Sequence, residues 1–503
     1  MRLTQLIRSL DSDYDSYHHL EDFEVGGITC NSRQVRKDFI FVAIKGTNED
    51  GHRFIQEAIE QGARAVIIQI PALPAGRPNP RLFDRQFESK IPNDIPVIQV
   101  KDTRKALAKL AAEFYGNPSS KIKVVGITGT NGKTTVSYLI EEILKEARCN
   151  PAVIGTINYR FRDKIFPSGN TTPGPIELQS LLADMLDKGV DYAIIEVSSH
   201  ALDQARTDTI DFHCAIFTNL TQDHLDYHVT LENYFQAKSK LFKNINPNSF
   251  VIINNDDKYC RRIKKITPAR VITYGIENQS DLSAKDIKSN MAYTEFLLDS
   301  IDGQTEFKTK LIGRHNVYNM LAAISWAKTE GIAKSIIKSA IEKFSFAPGR
   351  LEKIDFNGNF TVFLDYAHTE DALKNVINTA RELSDKRIIV VFGCGGQRDK
   401  AKRPKMGNVV SELADYAIIT NDNPREEDPQ EIIEDIKKGI RKNNYCVIPE
   451  RKEAIRKSLL LAKTGDIVLV AGKGHEDYQI LKDKKIHFDD REIIKECLKS
   501  MNY

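Results

Sequence analysis

The sequence feature that most constrains this chain is a glycine-rich segment between an apolar run and an amphipathic stretch. The apolar run 122–127 leads into this segment, which reads Gly126-Ile-Thr-Gly129-Thr-Asn-Gly132-Lys133-Thr134-Thr135. After it, apolar residues recur with the spacing of one helical face: Val136, Leu139, Ile140, Ile143, Leu144 and Ala147. A strand, a glycine loop that ends in Gly-Lys-Thr and a helix together predict a phosphate-binding loop (P-loop).

In such a loop, backbone N–H groups and the helix N-terminus hold phosphates. Lys133 would reach the outer phosphates, and the hydroxyl of Thr134 would ligate Mg²⁺. The alternative is a glycine-rich turn that only connects a strand to a helix. A P-loop indicates a nucleoside triphosphate but no particular reaction, since kinases, ATPases, ligases and nucleotide-regulated scaffolds all fit it.

The remainder of the chain alternates short apolar runs with amphipathic stretches. This alternation predicts an α/β fold with parallel sheets covered by helices. The region 284–311 interrupts it and predicts paired antiparallel strands around Asp302-Gly303. The apolar runs that we interpret as buried strands are Ala193–Val197, Ala215–Thr218, Val251–Ile253, Val362–Leu364, Ile388–Phe392, Ala417–Thr420 and Ile467–Val470.

A length of 503 residues favours about three domains. The segment 115–120 is typical of a linker, and Ala347-Pro348-Gly349-Arg350 breaks a helical pattern. We therefore predict domains at 1–118, 119–345 and 346–503. The proline-rich stretch 71–80 is predicted to be a loop.

Composition and charge exclude several classes of protein. A formal charge of +3, from 72 basic and 69 acidic residues, does not support nucleic-acid binding. The first twenty residues lack the apolar segment of a secretion signal, and no apolar run reaches the roughly 18 residues of a membrane span. The seven cysteines contain no CxxC pair, which indicates reduced thiols. We expect a cytoplasmic protein.

The glycine segment and six further motifs resemble those of the Mur ligase superfamily, the ATP-dependent amide-forming enzymes of peptidoglycan assembly and their folate-polyglutamylating relatives. The motifs occur in the superfamily's order: Glu196-Val-Ser-Ser-His200, Thr218-Asn-Leu, Asp223-His-Leu-Asp226, Gly313-Arg-His-Asn316, Pro348-Gly-Arg350 and Asp365-Tyr-Ala-His368. The resemblance implies three domains. The first would hold a uridine nucleotide, the central P-loop domain ATP, and the Rossmann-like third the incoming amino acid.

Four residues would form the catalytic set that the resemblance implies. Glu196 ends an apolar run, and a buried carboxylate needs a partner, which would be Mg²⁺ or a nearby lysine. His224, between Asp223 and Asp226, would bind a second metal ion, although a lone histidine is more often structural. Lys238 matches the lysine that family members carbamylate, and Lys240 is close enough to be confused with it. The catalytic set is Lys133, Glu196, His224 and Lys238, and the metal ligands are Thr134, Glu196, His224 and Lys238.

The resemblance also implies binding residues for ATP and for a UDP-muramoyl dipeptide. Asn31 stands where the family more often has Asp, which weakens that position only. The ATP set is Gly129, Thr130, Asn131, Gly132, Lys133, Thr134, Thr135, Asn319, Arg350 and Asp365. The UDP-muramoyl-dipeptide set is Cys30, Ser32, Thr47, Asn48, Glu49, Asn170, Thr171, Thr172, Ser198, Gln204 and Arg206.

The motif Asp422-Asn423-Pro424-Arg425 resembles that of the branch that adds meso-diaminopimelate. Diaminopimelate carries a second carboxylate that a guanidinium can bind, whereas lysine offers an ammonium that Arg425 would repel. A solvated turn is the alternative. Gln397 replaces the usual Asp beside a contact residue. The predicted diaminopimelate set is Arg398, Asp422, Asn423, Pro424, Arg425, Gly472 and Glu476.

The resemblance therefore implies an ATP- and Mg²⁺-dependent ligase that joins meso-diaminopimelate to the UDP-muramoyl dipeptide through an acyl phosphate. Its partners would be these small molecules, with no nucleic acid and no membrane span, and we expect a monomer. Three alternatives stay open: a lysine-adding relative, a folylpolyglutamate synthetase, and a non-catalytic P-loop protein that binds nucleotide to regulate a partner.

Overall fold

Three sheets covered by helices, and one separate two-stranded hairpin, build the part of the chain that the computed structural model describes. Residues 1–10, 21–46, 49–69, 91–92 and 94–503 are described. The predicted loop 71–80 and the predicted site residues Thr47 and Asn48 lie outside them. Within the described ranges, no helix is both long and apolar enough to cross a membrane.

The first sheet forms the N-terminal unit, a four-stranded parallel sheet in the order β1-β2-β3-β4. Apolar side chains from both faces of this sheet pack against short helices. Its strands are β1 (Gly27–Thr29), β2 (Phe39–Val42), β3 (Ala63–Gln69) and β4 (Val97–Val100), and its helices are α1 (Leu3–Ile7), α2 (Ile55–Glu60) and α3 (Thr103–Phe114).

The second sheet forms the central unit and has eleven strands. The strands are β5 (Lys123–Thr128), β6 (Pro151–Ile154), β7 (Asn158–Phe161), β8 (Lys164–Pro167), β9 (Tyr192–Glu196), β10 (Phe212–Phe217), β11 (Phe250–Asn254), β12 (Arg270–Gly275), β13 (Leu282–Ser289), β14 (Thr294–Ser300) and β15 (Gly303–Thr309). The helices are α4 (Lys133–Glu146), α5 (Pro175–Asp187), α6 (Ser199–Asp203), α7 (Leu225–His228), α8 (Leu231–Lys243), α9 (Cys260–Ile266), α10 (Arg314–Thr329) and α11 (Lys334–Lys343).

The strand order of this sheet puts the P-loop strand among parallel neighbours. The order is β15-β14-β13-β12-β11-β10-β5-β9-β6-β7-β8, with β5 parallel to β10 and β9. Because parallel strands end at one edge, the loops after β5, β9 and β10 meet there. Antiparallel strands extend the sheet at both ends.

The third sheet forms the C-terminal unit, with the order β16-β17-β21-β18-β19-β20 and only β16 antiparallel. Its strands are β16 (Glu352–Ile354), β17 (Thr361–Asp365), β18 (Ile388–Phe392), β19 (Tyr416–Ile419), β20 (Tyr445–Val447) and β21 (Ile467–Ala471), followed by the hairpin β22 (Tyr478–Leu481) and β23 (Lys484–His487). The helices are α12 (Glu370–Leu383), α13 (Lys402–Leu413), α14 (Pro429–Lys437), α15 (Arg451–Leu461) and α16 (Asp490–Ser500).

The predicted α/β fold with parallel sheets is confirmed. The predicted antiparallel pair is confirmed as β14 and β15, which pair from Thr294↔Thr309 to Ser300↔Gly303. The sequence did not predict β7 and β8, because these four-residue strands are short and β8 is largely exposed. The boundaries 1–118, 119–345 and 346–503 stay a prediction, and each of the three sheets falls within one of those ranges.

A buried carboxylate joins the end of α10 to the sheet of the central unit. The side chain of Glu330 is 2% exposed. It lies 2.5 Å from His213 Nε2 and accepts hydrogen bonds from Lys123 Nζ at 2.8 Å and Tyr192 OH at 2.9 Å. Although burial opposes it, these partners hold the pKa of Glu330 at about 2. The ionised form therefore stabilises the fold above the ordinary carboxyl pKa, and this contribution is lost as the pH falls through about 2.

We predict that Glu330→Gln lowers the free energy of unfolding of the central unit by about 1–3 kcal/mol at pH 7, because it leaves buried donors without an anion. Urea unfolding is followed by the fluorescence of Trp326, the chain's one tryptophan, which is fully buried on α10. The difference from the wild type should shrink toward pH 2. Glu295→Gln removes an exposed pair with Lys308 and should leave the midpoint almost unchanged. A Glu330 effect that is equal at both pH values would contradict this account.

Candidate active site between the central and C-terminal units

The P-loop connects β5 to α4 and has two glycines that no other residue can replace without displacing a neighbour. At Gly129, which has φ +151°, a Cβ atom would lie 1.9 Å from Thr218 Oγ1. At Gly132, with φ +91°, it would lie 2.4 Å from Asn319 Oδ1. The loop therefore packs closely against the end of β10 and the second turn of α10, which carries Asn319.

Glu196, the last residue of β9, lies beside this loop with 1% of its surface exposed. Its carboxylate accepts hydrogen bonds from the hydroxyl groups of Thr134 and Thr156, both at 2.9 Å, and from the backbone N–H of Thr156 at 3.2 Å. Among the described residues, Glu196 forms no ion pair with the lysine partner considered above. The carboxylate is instead held by one hydroxyl group at the start of the P-loop helix and one in the loop after β6.

Predicted dipeptide-binding residues form a hydrogen-bonded cluster next to Glu196. Thr172 Oγ1 donates to the backbone carbonyl of Glu196 at 2.8 Å and accepts from the backbone N–H of Ser198 at 3.0 Å.

Arg206 connects two other members of this cluster. It donates to the carbonyl of Thr172 at 2.9 Å and to Gln204 Oε1 at 2.7 Å. Nearby, the Thr171 hydroxyl lies 3.2 Å from that of Thr156, and the carbonyl of Asn170 accepts from Tyr159 OH.

Two lysines lie at the P-loop, Lys133 half-buried at the start of α4 and Lys238 buried on α8. Lys133 Nζ donates to the carbonyls of Gly129 and Thr130, at 2.9 and 3.0 Å. Lys238 Nζ also donates to Gly129 O, at 2.9 Å, and the residue is 2% exposed. Burial, together with the charge of Lys133, holds the pKa of Lys238 well below its usual value. The neutral amine is the form that can react with CO₂.

The lysine two residues further along α8 is in a different environment. Lys240 has a 40% exposed side chain and pairs with Asp203 at 3.1 Å. The ambiguity between the two lysines in the sequence is therefore resolved in favour of Lys238 as the residue that lines the site.

His224 lies in the loop after β10 with φ +55° and places Nε2 3.3 Å from Asp223 Oδ2. Burial lowers the pKa of His224 to about 3, which Asp223 only partly opposes, so the imidazole is neutral at pH 7. A neutral imidazole beside a carboxylate suits either a metal ion or a hydrogen-bond donor. Asp226, the other flanking acid, is exposed.

The donor set fits Mg²⁺ bound together with a nucleotide. Within the described ranges, no three His, Cys, Asp or Glu side chains converge as a metal cage. Mg²⁺ is usually held by one or two carboxylates with substrate phosphates and water, and the hydroxyl of Thr134 beside the carboxylate of Glu196 supplies such a pair. His224 and an anionic form of Lys238 would complete the predicted ligands.

A cavity of about 450 Å³ opens over the P-loop and is closed on its other side by the C-terminal unit. Arg350 reaches Thr134 Oγ1 at 3.3 Å and stacks on Tyr366 at 4.5 Å, and its buried Nε has no hydrogen-bond partner among the described residues. Asn131 donates to Asp371 Oδ2 at 2.8 Å. The lining includes most of the predicted ATP residues: Thr130, Asn131, Gly132, Lys133, Thr134, Thr135, Asn319, Arg350 and Asp365.

Asp365 is the last residue of β17, and backbone N–H groups on either side of it in the chain hold its carboxylate. Its two oxygens accept backbone N–H groups of Leu351 at 2.6 Å and Ala367 at 2.7 Å. Burial raises its pKa to about 6, with Arg350 opposing the rise. The carboxylate is thus mostly ionised at pH 7 and lies close to the guanidinium of Arg350.

The predicted amino-acid residues converge at the carboxyl ends of β18, β19 and β21. Arg425 Nη1 donates to the carbonyl of Gly396 at 2.8 Å, and Arg398 Nη1 to that of Gln397 at 3.2 Å. Among the described residues, neither guanidinium has a carboxylate within 4 Å. Burial lowers the pKa of Arg425, and the charge of Arg398 adds to this effect. Two neighbouring guanidinium groups that have no carboxylate partner among the described residues are suited to bind an anionic group of a ligand.

The acidic residues of the predicted set, Asp422 and Glu476, belong to the same group of loops. Glu476 accepts from Asn423 Nδ2 at 2.8 Å and from Lys473 Nζ at 3.2 Å. A Cβ at Gly472, which has φ +114°, would lie 2.7 Å from Asp422 Oδ2. The carbonyl oxygen of Pro424 lies so close to Gly396 that a Cβ atom on Gly396 would be 1.9 Å from it. The predicted residues are thus brought together.

The predicted uridine-nucleotide residues of the N-terminal unit lie apart from the P-loop cavity. Cys30 and Ser32 follow β1, and Glu49 follows β2, so all three lie beyond the carboxyl ends of parallel neighbours. Ser32 is 7% exposed, whereas Cys30 and Glu49 are exposed. Their role stays a prediction.

The sequence did not predict several residues that line or support the site. Thr156 follows β6 and bonds Glu196, but in the sequence it is an ordinary loop hydroxyl. Asp371 in the first turn of α12 contacts the P-loop, but its position is typical of any helix N-terminus. Both roles depend on contacts between distant segments, and the sequence carries no local signal for them.

Comparison with known proteins identifies the family. Three family models match: Mur ligase family, catalytic domain, at 24–115; Mur ligase middle domain at 127–327; and Mur ligase, glutamate ligase domain, at 349–474. A relative from Clostridium tetani, called UDP-N-acetylmuramoyl-L-alanyl-D-glutamate–2,6-diaminopimelate ligase, is 44% identical over 504 residues and covers 100% of both chains. This chain belongs to the Mur ligase family.

Two further known proteins are similar to this Mur ligase over nearly the whole chain. A relative from Aquifex aeolicus with the same name is 45% identical over 475 residues, which is 94% of each chain. A solved structure described as UDP-N-acetylmuramoyl-L-alanyl-D-glutamate–2,6-diaminopimelate ligase is 30% identical, with a TM-score of 0.66 over 99% of each chain. The family resemblance drawn from the motifs is confirmed.

We predict that Lys238, and not Lys240, carries a carbamate. In ¹³C NMR with ¹³C-bicarbonate, the wild type and Lys240→Ala should show a carbamate signal that Lys238→Ala lacks. Ligase turnover should fall roughly 100-fold or more in Lys238→Ala, because the buried anion that would hold a metal ion is removed, a loss of about 3 kcal/mol of transition-state stabilisation. Lys240→Ala should keep nearly full turnover. A carbamate signal that survives in Lys238→Ala would contradict this assignment.

Proposed function

We propose that this Mur ligase joins meso-2,6-diaminopimelate to UDP-N-acetylmuramoyl-L-alanyl-D-glutamate, with ATP as co-substrate. The relatives from Clostridium tetani and Aquifex aeolicus carry that name at 44% and 45% identity over nearly whole chains. The observation in this chain that carries the proposal is the pair Arg398 and Arg425, two guanidinium groups without a carboxylate partner among the described residues. A second carboxylate is what distinguishes diaminopimelate from lysine.

The chemistry must activate a carboxylate, which is a poor acyl electrophile because its leaving group would be oxide. The γ-phosphoryl group of ATP is transferred to the D-glutamyl carboxylate. The amine of diaminopimelate then attacks the acyl phosphate, and phosphate leaves as the amide bond forms. Transfer of this kind depends mainly on positioning and on charge stabilisation.

Residues of both the central and the C-terminal unit would take part in this reaction. Lys133 and Arg350 lie where the phosphates of ATP would enter the cavity, and both are cations. Thr134 and Glu196, with His224 and carbamylated Lys238, would hold Mg²⁺, which neutralises phosphate charge when bound. The contacts from Arg350 to Thr134 and from Asp371 to Asn131 bring the C-terminal unit over the P-loop. That arrangement excludes water from an intermediate that water would hydrolyse.

The amino acid would lie between the cationic and the acidic groups of the C-terminal unit. Glu476 would take an ammonium, and Arg398 and Arg425 the distal carboxylate. Cys30, Ser32, Glu49 and the cluster around Arg206 would take the uridine nucleotide and the dipeptide. The proposal includes a cytoplasmic and monomeric enzyme, as expected from the sequence.

The direct test is phosphate release with ATP, Mg²⁺ and UDP-N-acetylmuramoyl-L-alanyl-D-glutamate, with product mass as the check. Turnover with meso-diaminopimelate and little with L-lysine is the expected result. Equal turnover with lysine would keep the ligase and contradict the role of the arginines. Folate-dependent turnover would favour a folylpolyglutamate synthetase. ATP binding without any amide product would favour a nucleotide-regulated protein.

Replacement of Arg425 tests the specificity argument. We predict that Arg425→Met lowers kcat/KM for diaminopimelate by about 30- to 150-fold, since a charge-assisted bond of roughly 2–3 kcal/mol is lost. The value for lysine should stay the same or rise, because a repelling cation is removed. Arg456→Met, an exposed arginine of the same unit paired with Glu453, is the matched control and should change neither. An equal loss for both amino acids would refute selection by Arg425.

A further inference from the structure

The hairpin of β22 and β23 lies against the loop that carries Arg425. Its two strands pair with each other from Tyr478↔His487 to Leu481↔Lys484 and form a sheet of their own. One strand also makes a parallel bridge between Leu481 and Arg425. The hairpin therefore touches the proposed amino-acid site without being part of the C-terminal sheet.

The hairpin holds both backbone polar groups of Arg425. The N–H of Arg425 donates to the carbonyl of Ile480 at 3.1 Å, and its carbonyl accepts from the N–H of Lys482 at 2.9 Å. Arg425 has φ +53°, in the left-handed region that side-chain-bearing residues rarely adopt. Such a conformation persists where surrounding contacts hold it. Since the backbone sets the direction of the Cα–Cβ bond, these contacts also aim the guanidinium.

The hairpin also holds the two residues at the start of the Asp422–Arg425 loop. The N–H of Ile480 donates to Asn423 Oδ1 at 2.9 Å. The side-chain amide of Gln479 donates to the carbonyl of Asp422 at 2.6 Å, and Gln479 is 7% exposed. Of the described hydrogen bonds between hairpin and loop, this is the one made by a hairpin side chain. A substitution can therefore remove it without altering the backbone pairing.

The base of the hairpin is fixed to the acidic side of the same site. Lys473, which is fully buried, donates to the carbonyl of Tyr478 and to Glu476. One short hairpin thus connects Glu476, the proposed ammonium partner, with Arg425, the proposed carboxylate partner. The separation of these two groups has to match the length of the amino acid.

We propose that this hairpin is a specificity strap and that Gln479 is a positioning residue for the amino-acid substrate. Gln479 acts through Asp422 and the loop, and it fixes the distance between Arg425 and Glu476. This inference rests on the proposed function, since the substrate it positions is diaminopimelate. Without the amide donor, the buried carbonyl of Asp422 loses its partner and the loop relaxes.

The test is steady-state kinetics of the full-length protein with Gln479→Met, which keeps the length of the side chain but cannot donate. The KM for diaminopimelate should rise roughly tenfold, the cost of one hydrogen bond, with a smaller change in kcat. The KM values for ATP and for the UDP-muramoyl dipeptide should stay within about twofold, and the preference for diaminopimelate over lysine should fall by a similar factor. Gln479→His, whose ring can still donate, should recover part of the loss. Gln430→Met is the control, because the side chain of that exposed glutamine bonds, among the described residues, Glu434 on α14 and nothing in the proposed site.

A second measurement keeps the inference separate from the proposed function. Hydrogen exchange of backbone amides in 422–425, without any substrate, should be faster in Gln479→Met than in the wild type, and unchanged in the central unit. If the wild type does not use diaminopimelate, the proposed function fails, while the exchange data still test the strap. Unchanged exchange in 422–425 would overturn the strap. A rise in KM for all three substrates alike, or no rise for diaminopimelate, would overturn the role of Gln479 in substrate selection.

Discussion

The buried carboxylate of Glu196 is the constraint on which the nucleotide site depends. It lies at the end of β9 and accepts from Thr134 at the start of α4 and from Thr156 after β6. A carboxylate in this position is costly unless hydrogen bonds or a cation compensate it. The hydroxyl groups supply part of that compensation and at the same time fix three loops relative to each other. The remaining negative charge makes the base of the cavity favourable for a cation that arrives with phosphates.

Lysine and arginine side chains lie around the P-loop beside this carboxylate. Lys133 and Lys238 share the carbonyl of Gly129 as an acceptor, so each lies within the field of the other. Burial, together with repulsion from Lys133, lowers the pKa of Lys238. Arg350 adds a guanidinium group from the C-terminal unit, and it contacts Thr134. The approach of that unit and the proposed binding of Mg²⁺ therefore involve the same hydroxyl group, that of Thr134. A bound polyanion would relieve the repulsion and hold the units together.

Much of this arrangement could be predicted from the sequence, because its signals are local. The P-loop spacing, the apolar runs and the turn at Asp302-Gly303 each depend on a few adjacent residues. The edge strand β8 escaped prediction because it is short and mostly exposed, so it carries no alternation of buried and solvated residues. Asp371 and Gln479 escaped for a different reason. Each has a neighbour more than 50 residues away, and nothing near them in the chain marks that contact.

The charges of the C-terminal unit are divided in a way that favours a substrate with two carboxylates. Lys473 contacts Glu476, and Arg451 forms a fully buried pair with Asp490 while its guanidinium donates to the carbonyls of Asn421 and Ala471. These internal cations stabilise the acidic side of the site before any ligand binds. Arg398 and Arg425 form no ion pair with a described carboxylate, and the charges of Asp422 and Glu476 act on Arg425 only from beyond pairing distance. The site therefore has an excess of positive charge where the far end of the amino acid would lie. A ligand that brings a carboxylate there relieves repulsion between two guanidinium groups, whereas one that brings only an ammonium adds to it.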